Sequence, residues 1–89
     1  MIEDSITIIN RLGLHARAAA KLVNTASGFR SDVRLSRGSR EANAKSIMGV
    51  MMLAAAKDTE LLLAVEGPDE REAFEAISAL IRDRFGEDE

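Results

Sequence analysis

The chain has no cysteine, no tryptophan and no tyrosine, and only one proline and one histidine. Without cysteine there is no disulfide framework, no thiolate metal site and no thiol nucleophile, which suits a reducing cytoplasm. A lone histidine excludes a multi-histidine metal centre. Three phenylalanines are the whole aromatic content, too few for the stacking platforms on which single-stranded nucleic acids are held. The 12 cationic side chains are outnumbered by 15 acidic ones and are interspersed with them, leaving a net charge of −3, so nucleic acid is not an expected partner. Long apolar runs are also missing. The longest, Ile47 to Ala56, is about ten residues against the roughly twenty of a membrane span. The opening Met1-Ile2-Glu3-Asp4-Ser5 does not read as a secretory signal, and a cytoplasmic location is expected.

What is present is 46% apolar residues in 89, sufficient for one modest core and therefore for a single domain spanning 1–89. Residues 5–9 are rich in isoleucine, with Ile6 and Ile8 on one face, and predict a first strand. From Ala16 to Ser27, Ala19, Leu22, Val23 and Ala26 recur at helical spacing, with Gly28 closing the helix as its C′ residue. Residues 32–36 and 40–44 alternate about a turn at Arg37-Gly38-Ser39, predicting a hairpin. Ser46 is a favoured N-cap before the apolar helix that starts at Ile47; Gly49 inside it suggests close packing against a neighbour. Leu61, Leu63 and Val65 share one face of a strand over 60–66. Asp69 is placed to cap a last helix striped by Ala73, Phe74, Ile77, Leu80 and Ile81, with Glu72 at its third position. An acidic tail follows Gly86. The order is βαββαβα, an α+β fold with a mostly antiparallel sheet and helices on one face. A ferredoxin-like split unit begins with the same six elements, so the order leaves the strand arrangement open.

Two features stand out chemically. The only histidine, His15, lies at the start of the first helix, where unpaired N–H groups and the positive end of the helix dipole favour an anion such as a phosphoryl group. The same positive end favours the neutral ring, whose nitrogen lone pair is the nucleophile. Arg17, two residues on, can add a charge-assisted bond to phosphate oxygens. Against this stands the plain reading of His15 as an ordinary surface residue. The second feature is the excess apolarity of Ile47, Met48, Met51 and Met52, which a small domain cannot bury on every side.

Gly13-Leu14-His15-Ala16-Arg17, followed about thirty residues later by Asn43-Ala44-Lys45-Ser46-Ile47-Met48-Gly49-Val50-Met51, closely resembles the HPr family of bacterial phosphocarrier proteins. The resemblance extends over almost the whole chain. It implies an open-faced β-sandwich, three helices on a four-stranded antiparallel sheet in the order 1-4-2-3. It also implies a carrier of the phosphoenolpyruvate-dependent phosphotransferase system that is modified stoichiometrically rather than an enzyme; no cofactor or metal is expected, and a carrier that docks on successive partners is best served as a monomer. By resemblance, Nδ1 of His15 accepts a phosphoryl group from phosphorylated Enzyme I and passes it to an EIIA-type protein. Arg17 and the backbone N–H groups of Ala16 and Arg17 would bind the phosphate, and Ile47, Met48 and Met51 would form the docking surface. Ser46 matches a serine that a dedicated HPr kinase/phosphorylase modifies in many relatives. Both a sugar-transport and a nitrogen-regulatory branch fall within the resemblance. One departure is Ala18, where the family usually carries proline. The alternative function is a regulatory binding module of the same fold that works without phosphorylation.

Overall fold

A computed structural model describes all residues from Met1 to Glu89. Its elements run β1 (Ile2–Thr7), α1 (Ala16–Ser27), β2 (Asp32–Arg37), β3 (Arg40–Asn43), α2 (Ile47–Met52), β4 (Glu60–Glu66) and α3 (Glu70–Arg82), closed by a short 3-10 turn over Arg84–Gly86. The four strands form one antiparallel sheet in the order β1-β4-β2-β3. The open question of strand arrangement is thereby decided in favour of the open-faced sandwich.

Register follows from alternation. Ile6 lies opposite Leu61, Leu35 opposite Leu63 and Val33 opposite Val65, and all six turn inward and are buried. Their neighbours Ser5, Leu62 and Arg34 lie on the uncovered face. A one-residue slip would exchange the two sets, so the apolar face fixes the pairing. The helices close the other side: Ala19, Leu22 and Ala26 from α1, Val50 from α2, and Ala73, Ile77 and Ile81 from α3 join the sheet in one core. Each fully buried Leu, Ile or Val contributes about 1.5–3 kcal/mol relative to exposure.

Several local expectations are corrected. The first strand starts at Ile2 and ends at Thr7 rather than covering 5–9, because Glu3 and Ser5 sit on the solvent face, where polar side chains do not oppose pairing. Ile8 is still tied to the β4 approach through its N–H to the Thr59 carbonyl and its own carbonyl from the Asp58 N–H. The hairpin turn is tighter than expected, since Arg37 and Arg40 still pair across Gly38-Ser39. Gly28 closes α1 as its C-cap rather than its C′ residue, with a φ of −76°. Gly49 is not a close-packing glycine, because an added Cβ would lie 3.4–3.5 Å from the Ser46 and Ala42 side chains, ordinary contact. Asp69 does occupy the N-cap position of α3, its carbonyl accepting from the Ala73 N–H, but its side chain makes no cap bond; the carboxylate instead accepts from the N–H groups of Arg30 and Ser31 and from the Ser31 hydroxyl.

Candidate functional site

The site begins with a turn. Asn10 is fully buried, and its Nδ2 donates to the Gly13 carbonyl at 2.8 Å. Gly13 has φ +67°, and a Cβ there would lie 2.5 Å from the Ala55 carbonyl oxygen, so only glycine can make this bend without displacing backbone. Leu14 is pinned by its N–H to the same carbonyl at 2.8 Å. The chain therefore reaches His15 from a rigid corner.

His15 is the N-cap of α1, with extended backbone and no side-chain cap bond. Its carbonyl accepts from the Ala19 N–H, which leaves the N–H groups of Ala16, Arg17 and Ala18 without an intrahelical acceptor. The imidazole is partly exposed and lines an open cavity of about 180 Å³ together with Leu12, Arg17 and the tail residues Glu87, Asp88 and Glu89. Arg17 is exposed. The structure thus gathers His15, Ala16 and Arg17 at one place, and Ala18 adds a donor that a proline would lack.

The tail supplies what the sequence alone did not suggest. Nε2 of His15 is 2.5 Å from Oε2 of Glu87, whose Oε1 accepts from Nδ2 of Asn10 at 3.0 Å. Two acceptors on one amide, Gly13 and Glu87, fix which way Asn10 faces. The hydrogen bond from His15, reinforced by the one from Asn10, holds the Glu87 carboxyl below the usual carboxylate range, against a smaller opposing effect of burial. Glu87 is reached through Phe85, which is fully buried, and through Lys21, whose Nζ donates to the Phe85 carbonyl at 2.6 Å. A contact between residues 72 positions apart leaves no periodicity in a sequence; its one available sign was an aromatic residue inside an otherwise polar tail. Leu12, 60% exposed, is a further apolar neighbour of the histidine that was not anticipated.

The remaining candidates lie on α2, which packs against α1. Ser46 is exposed and caps the helix, its Oγ accepting from the Gly49 N–H at 3.2 Å. Ile47, Met48, Met51 and Met52 are all exposed, Met48 by 67%, while Val50 and Leu53 are buried. The end of α2 is held to the hairpin by Arg37, which donates to the Leu53 and Ala54 carbonyls, and by Arg40, which donates to that of Met52. No cluster of His, Asp and Glu is arranged to hold a metal, and no helix is long and apolar enough to cross a membrane.

Comparison with known proteins agrees with this architecture. The family model described as PTS HPr component phosphorylation site matches residues 2–83. The phosphocarrier protein HPr of Cupriavidus necator is 56% identical over 89 residues, all of both chains. A crystal structure of HPr from Thermoanaerobacter tengcongensis superposes with a TM-score of 0.96 at 45% identity, covering 100% of each chain. A dimeric crystal form of HPr from that organism matches with a TM-score of 0.79 at 46% identity, over 98% of this chain and 100% of that one. The chain belongs to the HPr family, whose members are phosphocarriers of the phosphotransferase system and act as carriers rather than catalysts.

Proposed function

We propose that Nδ1 of His15 accepts a phosphoryl group from phosphorylated Enzyme I and hands it to an EIIA-type protein. The observation that carries this reading is the placement of the ring: partly exposed at the start of α1, with Nε2 committed to Glu87 and Arg17 on the same cavity. Nδ1 is then the nitrogen with a lone pair available. The unpaired N–H groups of Ala16 and Arg17 and the guanidinium of Arg17 meet the phosphate oxygens, and the positive end of α1 favours the added charge. Ile47, Met48 and Met51 form the surface on which Enzyme I and the acceptor dock in turn. An exposed apolar patch that is rich in methionine adapts to more than one partner. Ser46 is the regulatory site: a phosphate there, added by an HPr kinase/phosphorylase, would put negative charge beside Ile47 and Met48 and weaken docking.

The test is incubation with phosphoenolpyruvate and Enzyme I, followed by intact mass and acid-lability analysis beside H15A. One acid-labile phosphate on the wild type and none on the variant is the expected result. No phosphate on the wild type, with Enzyme I shown to be active on another carrier, would point instead to a binding module that works without phosphorylation.

A further inference from the structure

Helix α2 carries Ile47, Met48, Met51 and Met52 on its exposed side, yet packing holds it poorly. It has six residues, of which only Val50 is buried, and a helix that short is not stable on its own. Its two ends are fixed instead. Ser46 caps the start. At the other end the carbonyls of Met52, Leu53 and Ala54 accept from guanidinium groups: Nη1 of Arg37 donates to Leu53 at 2.9 Å and to Ala54 at 3.1 Å, and Nη1 of Arg40 donates to Met52 at 3.3 Å. Cations suit this end of a helix. Both arginines leave the closed end of the β2–β3 hairpin, where they pair across Gly38-Ser39, so the donors are mounted on the sheet. Ala54 has a φ of 51°, left-handed for a residue with a Cβ, and such backbone persists only where its surroundings enforce it. The next carbonyl, that of Ala55, accepts from the Leu14 N–H at 2.8 Å, and Ala55 and Leu14 are both buried. Leu14 directly precedes His15. A continuous line of contacts thus runs from the hairpin arginines, through the end of α2, to the residue before the histidine.

We propose that Arg37, assisted by Arg40, is a positioning residue for phosphoryl transfer: it locks the left-handed turn after α2 and, through the Ala55 carbonyl, keeps the apolar face of α2 in fixed register with His15. This rests on the phosphocarrier reading of His15. A partner lying on Ile47, Met48 and Met51 can bring phosphorus in line with the ring only if the distance from patch to ring is constant, and a misplacement of about 1 Å costs on the order of a hundredfold in rate. Neither arginine lines the cavity around His15, so both act through α2 and not on the phosphate. Without the two guanidinium groups, nothing at the Ala54 carbonyl offsets the left-handed backbone. Ala54 then relaxes toward negative φ, which redirects the chain at Ala55 and withdraws that carbonyl from Leu14. The patch itself stays exposed and apolar, so docking survives while transfer suffers.

Hydrogen exchange of the Leu14 amide, followed by NMR on the unphosphorylated chain, reads this line of contacts without any partner. R37A/R40A should lose protection at Leu14 by about tenfold beyond any change at Ile77 in α3. With phosphorylated Enzyme I the same variant should show kcat lowered about tenfold and KM within about twofold of wild type. R37K/R40K, which keeps a donor at each position, should recover most of both losses; R37A alone serves if the double alanine variant proves unfolded by circular dichroism. Leu14 exchange that is unchanged, or that changes only as much as Ile77 does, would overturn the role of Arg37, and so would an unchanged kcat. A rise in KM alone would also overturn it, by making the arginines direct contacts of Enzyme I. A wild type that takes no phosphate at all would instead overturn the carrier reading, while Leu14 exchange would still report on the tether.

Discussion

Ser31 and Asp69 hold each other through three hydrogen bonds: the Ser31 N–H and hydroxyl donate to Oδ1 of Asp69 at 2.9 and 2.5 Å, and the Asp69 N–H donates to Oγ of Ser31 at 3.2 Å. The clasp joins the α1–β2 loop to the start of α3. The Ser31 hydroxyl, followed by the Arg30 N–H, holds the Asp69 carboxyl below its ordinary range. A depressed carboxyl adds stability that is present above its unfolded value, about 3.9, and is lost as pH falls through the folded value. The wild-type thermal midpoint should therefore fall below about pH 4. D69N should start lower at neutral pH and show a shallower acid decline; parallel curves would exclude Asp69 as a source of the acid sensitivity.

Gly13 should tolerate no side chain. G13A places a methyl group against the Ala55 carbonyl and the Ala56 backbone and keeps a residue at φ +67°, at a cost of about 3 kcal/mol. Chemical denaturation measures it, and a loss under about 1 kcal/mol would mean the corner relaxes freely.

Gly49 should behave in the opposite way. An alanine there meets only ordinary contacts and removes backbone freedom from the unfolded chain, so G49A is expected to gain about 0.5–1 kcal/mol. S46A removes the oxygen that accepts from the Gly49 N–H and should lose about 1 kcal/mol. The pair can be compared in urea melts, where equal and unchanged midpoints would contradict both assignments.

Met48 stands 67% exposed, so M48K should leave stability within about 0.5 kcal/mol of wild type and raise KM for phosphoryl acceptance from Enzyme I with little change in kcat. A fall in kcat at unchanged KM would remove Met48 from the docking surface.

The regular elements were readable because each carries its period. Leu61, Leu63 and Val65 announce β4 by alternation, and Ala19, Leu22 and Ala26 announce the buried face of α1. The fold's strand order came from family resemblance, since pairing β1 with β4 depends on long-range packing that no local pattern records. His15 and Arg17 stand out in the sequence for two reasons, helix-end chemistry and motif. Glu87 and Asn10 were missed because each acts at long range: one acidic residue in an acidic tail looks like solvent-facing charge, and one asparagine before a glycine looks like a turn former. Asp69 was misread for a related cause. A carboxylate just before a helix suits a cap, but two N–H groups and a hydroxyl from another loop offered it more.

Glu87 lies 72 residues downstream of His15, and that separation sets an order of events during translation. Helix α1 can form soon after it leaves the ribosome, but the histidine lacks its carboxylate until residue 87 has also cleared the exit tunnel and Phe85 has entered the core. Chains broken off before residue 87 would therefore carry the signature motif intact and still present an unpartnered ring. Completion of the site therefore waits on residue 87, long after the motif around His15 has been made.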